Sequence, residues 1–174
     1  MRSSRRATLM SCMKEPRWRR SRNLRVQGSR FNVQCWKADM ASIQRFEDIE
    51  SWKAGREAVR MVYAVTSEAP FSRDFALCNQ VRRASVSIIS NIAEGFERGG
   101  NKEFLNFLAI SKGSCGEVRC QLYVALDCSY ISEDQFRVIS EKLTETSRLI
   151  SGLMKYLQQS EFRGSKFRSA DAKP

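Results

Sequence analysis

Histidine is absent from all 174 residues of this chain. With it go every histidine-based catalytic triad, the H-E-x-x-H metal helix and the Glu-x-x-His pairs of di-iron bundles. Six cysteines stand at 12, 35, 78, 115, 120 and 128, none of them in a C-x-x-C pair, so the common zinc-ligand patterns are missing too. There is no Gly-rich phosphate loop and no G-x-S-x-G elbow. No uncharged apolar run approaches the ~20 residues that a bilayer-spanning helix needs, which excludes a transmembrane helix. What remains for catalysis is thin: Glu94 with Arg83 as an acid–base pair, or Glu94 with Glu117 as a carboxylate pair for a metal. The chain therefore reads as non-enzymatic, without cofactor or metal. Cys78, Cys115, Cys120 and Cys128 read as small apolar residues on helices in a reducing compartment, the cytoplasm.

The charge is uneven. Residues 1–39 hold 11 Lys and Arg against two acids, whereas residues 40–174 hold 19 against 17, so the net +11 says little about the folded part. The Arg-rich first segment lacks periodicity and apolar surface, and is expected to be disordered. It has three readings. One is a gene-start artefact, since Met40 opens M-A-S-I-Q-R-F-E-D. Another is a basic arm that contacts phosphates through Arg5, Arg6, Arg17, Arg19, Arg20, Arg22 and Arg25. The third is a targeting segment, given S-R-R-A-T-L at Ser4–Leu9, although K-E-P-R-W-R-R stands where a hydrophobic region would follow. The organisation is then a basic extension over 1–42, a helical domain over 43–158 and a polar tail over 159–174.

Four amphipathic helices are expected. The first runs from about Phe46 to Ser67 on Ile49, Trp52, Val59, Val62, Tyr63 and Val65, and Pro70 closes it. Ser72 stands where an N-cap belongs, and a second helix continues from Arg73 to Glu97, stopped by Gly99 and Gly100. The third starts near Asn101 and carries Phe104, Leu105, Leu108, Ile110, Val118, Leu122 and Ala125. Gly113 and Gly116 inside it cost about 1 kcal/mol each relative to alanine, which suggests that another helix approaches there. The fourth opens on the capping box Ser132–Gln135 and repeats Phe136, Ile139, Leu143, Thr146, Ile150, Leu153 and Leu157 at intervals of three and four. Short connections between such helices favour an all-α, up-down-up-down antiparallel four-helix bundle.

The second helix carries the most specific pattern. Gln80, Arg83, Ser87, Asn91, Glu94 and Arg98 recur at steps of three or four, within an arc of roughly 80° beside the apolar row Leu77, Val81, Ala84, Ile88, Ile92 and Phe96. An amide, a guanidinium, a hydroxyl and a carboxylate can satisfy one another. The stripe is therefore expected to be buried, as a network within the bundle or between subunits, where losing Arg83 or Glu94 costs about 3 to 5 kcal/mol. The other reading is an interaction surface, in which Arg82, Arg83 and Arg98 join Lys102 and Lys112 near the junction of the second and third helices to contact RNA or DNA phosphates. Glu94, Glu97, Glu103 and Glu117 weaken that patch, and no aromatics interleave with it, so sequence specificity would be poor.

The run Q-x-R-R-A-x-x-S-I-x-x-N-I-A-E-G-x-x-R, then K-E-F-L-N-F-L-A-I-S-K-G-S-C-G-E-V, resembles the bacterial four-helix-bundle family encoded by intervening sequences in large-subunit ribosomal RNA genes. The likeness extends from F-E-D-I-E-S-W-K-A-G to G-L-M-K-Y-L, roughly residues 43 to 158. Two positions depart: Ile89 stands where the family commonly has Pro, and Ser129 where it commonly has Gly. The resemblance implies a homo-oligomer, a pentameric ring. A distant homologue, the accessory variability protein of diversity-generating retroelements, implies a protein partner such as a reverse transcriptase. Repeated around a ring, weak basic faces would hold a polyanion that one face would not. The resulting expectation is a nucleic-acid-associated binding or scaffold protein, and the alternative is a protein–protein assembly module without nucleic-acid affinity. A ribosomal-protein role does not fit a nearly neutral domain.

Overall fold

The structure, a computed structural model, describes residues 43–159. The expected basic extension and polar tail lie outside these residues. Four α-helices fill most of the span: α1 Glu50–Thr66, α2 Phe75–Glu97, α3 Asn101–Asp127 and α4 Glu133–Gln159. No strand occurs among the described residues.

Each boundary has a local cause. A 3-10 turn at Phe46–Asp48 precedes α1, because the extended backbone at Ile49 drops that side chain fully into the core before the helix begins. The first helix is thus shorter at its start than the apolar pattern suggests. At its other end the Thr66 and Ser67 hydroxyls donate back to the Val62 and Tyr63 carbonyls. The second helix is capped by Asp74, not Ser72: the Asp74 carboxylate accepts from the Leu77 amide at 3.0 Å. Ser72 and Arg73 belong to a 3-10 turn, Phe71–Arg73, held by the burial of Phe71 and its stacking on Tyr130 at 5.5 Å. Gly99 takes a positive φ of 67° and turns the chain into α3.

The third helix ends in a Schellman motif. Tyr130 N–H donates to the Ala125 carbonyl and Ser129 N–H to that of Leu126, both at 2.8 Å, with Ser129 itself at a φ of 57°. Serine therefore occupies a left-handed site that glycine fills without strain, and the turn forms nonetheless. Ser132 and Gln135 then exchange backbone-to-side-chain bonds at 2.8 and 3.2 Å, the capping box expected for α4.

Every helix packs on its sequence neighbours, and α4 returns to α1. The end of one helix meets the start of the next at Thr66 with Arg82, at Gly95 with Phe104 and at Tyr123 with Phe136, so successive helices are antiparallel, and Asn101 at the start of α3 donates to the Leu157 carbonyl near the end of α4. The core runs through Ala58 and Val62, Val81, Ile88 and Ile92, Leu108, Val118 and Leu122, and Ile139, Leu143, Ile150 and Leu153. Burying each of the larger side chains contributes about 2 kcal/mol. The α4 seam is as the spacing predicts, with Thr146 accommodated by donating to the Lys142 carbonyl. Tyr63 and Ile110, assigned to apolar faces on spacing, are exposed instead. All four described cysteines are free; Cys78 and Cys115 are buried, where burial pushes the Cys115 thiol up to about 12, and Cys120 and Cys128 are exposed.

The close helix approach is not at Gly113 and Gly116. Both are exposed, and a Cβ added at either would meet nothing within 4 Å. It lies at Gly95, where an added Cβ would sit 2.6 Å from Phe107 Cβ and 2.8 Å from Phe104 Cδ2, and less tightly at Gly55, 3.0 Å from Ile89 Cγ2. Phe107 Cβ is fixed to the α3 backbone, so room at Gly95 requires moving a helix. Gly95→Ala should accordingly lower stability by about 3 kcal/mol, the upper part of the usual overpacking range. Gly113→Ala should raise it by about 1 kcal/mol through helix propensity alone. Urea unfolding of both variants in dilute protein checks this; a neutral Gly95→Ala would show that α2 and α3 are farther apart than described.

Candidate functional site

The patterned residues of α2 lie along the rim of its seam with α3. The floor of that seam is apolar except at Ser111, which takes a core position between Leu108 and Cys115 and donates to the Ile88 carbonyl at 2.7 Å. One turn outward, Ser87 and Ser114 share a hydroxyl–hydroxyl bond of 2.9 Å. Asn91 donates to the Ser87 carbonyl and hydroxyl at 2.7 and 2.9 Å. Ser87 and Asn91 are half-buried.

Beyond them the rim opens. Glu94 and Arg98 pair at 2.7 Å, each 51% exposed, and the Arg98 guanidinium lies 4.8 Å from the centroid of Phe107, the ring that uses the space at Gly95. Glu94, Gly95 and Arg98 thus act around one aromatic side chain: one leaves room, one covers, one orients the cover. At the other end Gln80 and Arg83 are exposed and hold no hydrogen bond or ion pair among the described residues. The expectation of a buried stripe is therefore corrected within the protomer. Its middle is a half-buried hydrogen-bonded rim, and its ends face water.

The second grouping, Arg82, Arg83, Arg98, Lys102 and Lys112, is not brought together. Arg82 and Arg98 are 16 positions apart on one helix, about 24 Å at 1.5 Å per residue. Arg82 turns to the end of α1, donating through Nε to Thr66 Oγ1 at 2.8 Å and through Nη2 to the Thr66 carbonyl at 3.0 Å and Ser67 Oγ at 3.2 Å. Its guanidinium also lies 5.1 Å from the Tyr63 ring centroid. It serves as a cationic cap on a helix C-terminus. Arg98 is paired, whereas Arg83, Lys102 and Lys112 are exposed. Residues 43–159 carry 15 Lys and Arg against 15 Asp and Glu, so the described part is electrically neutral. Among the described residues no three potential metal ligands gather, and no helix is long and apolar enough to cross a membrane.

The outer face of α3 is not marked out by the polar spacing of α2. Ala109, Gly113, Gly116, Cys120 and Val124 follow one another at helical spacing and are all exposed, flanked by Ile110 at 53% and Tyr123 at 53% exposure. Beside it Gln121 Oε1 is buried without a hydrogen-bond donor, while its amide nitrogen donates to Glu117 at 3.1 Å. The signal was available: α3 is apolar on two sides, and a bundle helix buries only one.

Because the Glu94–Arg98 pair is exposed, its loss should cost less than about 1 kcal/mol, a few degrees of melting temperature at most. Glu94→Ala in dilute protein checks this by thermal melt. A fall of roughly ten degrees would place the carboxylate in a buried network.

Residues 47–152 match the 23S rRNA-intervening sequence protein family. No curated protein matches the chain. Among solved structures it is similar to a protein of unknown function from the S23 ribosomal protein family of Bacteroides thetaiotaomicron, at 25% identity and a TM-score of 0.55, over 60% of this chain and 98% of that one. The family match takes in the whole α2–α3 seam and its rim, and this chain belongs to the 23S rRNA-intervening sequence protein family.

Proposed function

We propose that this protein works by binding and not by catalysis, as a homo-oligomeric four-helix scaffold, and that any nucleic acid it carries is held through phosphates by many copies together. The observation that carries the reading is the outer face of α3. A stripe of small and apolar side chains with Ile110 and Val124 at 53% and 46% exposure has no role in the protomer's own core. Small residues let a second helix approach closely, and the unmet Gln121 carbonyl beside them needs a donor. A second copy would supply both, and a ring of five is the assembly that the family resemblance implies.

The nucleic-acid part rests on weaker ground. Arg83, Lys102 and Lys112 are exposed and unpaired among the described residues, but a neutral domain holds a polyanion poorly one copy at a time. Multiplying the cations by assembly offsets this. The 11 Lys and Arg of residues 1–39 add to it.

Sedimentation velocity on the full chain should give a multimer, and Ile110→Asp should shift it to smaller species without lowering the melting temperature of dilute protein. A monomer at about 100 μM in the unmodified chain would contradict the reading, since scaffold contacts of ordinary size hold at that concentration. RNA and DNA binding at two salt concentrations, with the full chain and one beginning at Met40, separates the two sources of charge. Affinity lost with the segment assigns it to residues 1–39, and affinity lost with Ile110→Asp assigns it to the assembled bundles.

A further inference from the structure

Among the described cations only Arg82 and Lys142 are half-buried, and their surroundings differ. Lys142 lies between Glu57 at 2.8 Å and Glu145 at 2.9 Å. Burial works against its charge, but the hydrogen bonds to Glu57 and Glu145 outweigh that and hold its pKa above the usual value. Arg82 meets no carboxylate among the described residues. Its Nε and Nη2 are spent on Thr66 and Ser67, and Nη1 is left without an acceptor. A partly desolvated cation balanced only by one helix-end carbonyl, two hydroxyls and a ring face is incompletely compensated.

The guanidinium lines a cleft of about 420 Å³ between the end of α1 and the start of α2. No carboxylate lines it. Two acids adjoin its wall in sequence: Asp74 is engaged as the cap of α2, and Glu68, next to Ser67, is exposed and is not part of the lining. Ser72 and Asn79 also line the cleft, and neither side chain has a hydrogen-bond partner among the described residues. At its edge stands Phe75, which is 81% exposed, the most exposed large hydrophobic side chain described. The cleft thus combines an oriented, uncompensated cation, a free hydroxyl, a free amide and an open aromatic face. Three of these bind a phosphate, and the fourth stacks a planar ring.

We propose that this cleft is a binding site for a nucleoside 5′-monophosphate, with the phosphate on Arg82 Nη1, Asn79 and Ser72 and the base against Phe75. The same group occurs free or at the 5′ end of a strand. The cleft volume falls within the range of small-ligand sites. Arg82 is held in place before any ligand arrives by three hydrogen bonds and the Tyr63 ring, so little side-chain entropy is lost on binding. The site is on a different face from the α3 stripe, and its occupancy does not depend on assembly.

Titration calorimetry of the full chain with adenosine 5′-monophosphate tests it, with adenosine and inorganic phosphate as single-feature probes. The monophosphate should bind saturably and at least about tenfold more tightly than either probe, because each engages only part of the cleft. Phe75→Ala and Asn79→Asp alter exposed side chains that hold nothing in the fold. Each should weaken binding about tenfold or more with an unchanged melting temperature. Ile110→Asp should leave binding intact. A short oligonucleotide with a 5′-phosphate that displaces the monophosphate, where its 5′-hydroxyl counterpart does not, assigns the site to strand ends; displacement by neither assigns it to the free nucleotide. Absence of saturable binding, or binding that neither Phe75→Ala nor Asn79→Asp reduces, overturns the proposal.

Discussion

The close approach of α2 and α3 is the constraint on which the remaining structure depends. Gly95 leaves space that Phe104 and Phe107 fill, and Ser111 reaches across to the Ile88 carbonyl, so the two helices meet with little side-chain bulk between them. A connection as short as Arg98 to Gly100, with a positive φ at Gly99, is possible only because the helices it joins are already in contact. The opposite side of α2 then fixes α1, where Gly55 meets Ile88 and Ile89. Thr146 of α4 approaches the same glycine, which draws the last helix into place.

One consequence is that α2 carries three rows with three duties. Val81, Ile88 and Ile92 form core. Ser87, Asn91, Glu94 and Arg98 finish the edge of the contact with α3, through Ser114 and Phe107. Gln80 and Arg83 do neither, and Arg82 turns the other way to hold the end of α1. The two proposed contacts, the outer face of α3 and the cleft at Arg82, both fall in places that the protomer's own packing leaves unused. Neutrality of the described domain fits this, because a protein whose affinity comes from specific unfilled places needs no net charge to reach them.

The sequence made some of this legible and concealed the rest for definite reasons. Helix number, the α4 seam and the Ser132–Gln135 capping box follow from spacing and local hydrogen bonding, which tertiary context did not override. Asp74 displaced Ser72 as a cap because the burial of Phe71, a long-range contact, delayed the helix by a few residues. Gly113 and Gly116 misled because a glycine marks either a close approach or nothing, and α3, apolar on two sides, gives no periodicity to decide which face they occupy. Gly95, inside the patterned run itself, was the one that mattered. The middle of the polar stripe bonds with itself, as its residue types allow, but composition does not report depth: the Ser87 hydroxyl and the Asn91 amide are half-buried, while the Glu94–Arg98 pair one turn on is half in water. The partners Ser111 and Ser114 had a signal, since serines at core-spaced positions between Leu108 and Val118 need hydrogen-bond partners: Ser111 donates across the seam to the Ile88 carbonyl, and Ser114 donates to the Ile110 carbonyl of its own helix and shares a bond with Ser87.

The central claim is that the side of α2 facing α3 determines folding, while the outer face of α3 is free for contact with another copy. Urea unfolding midpoints at two protein concentrations about a hundredfold apart, for the unmodified chain, Ser111→Ala and Val124→Asp, test it most directly. The account predicts that Ser111→Ala is less stable by about 1 kcal/mol at both concentrations. It predicts that Val124→Asp matches the unmodified chain when dilute and falls behind it only when concentrated. Loss of stability in dilute Val124→Asp, or none in Ser111→Ala, would contradict it.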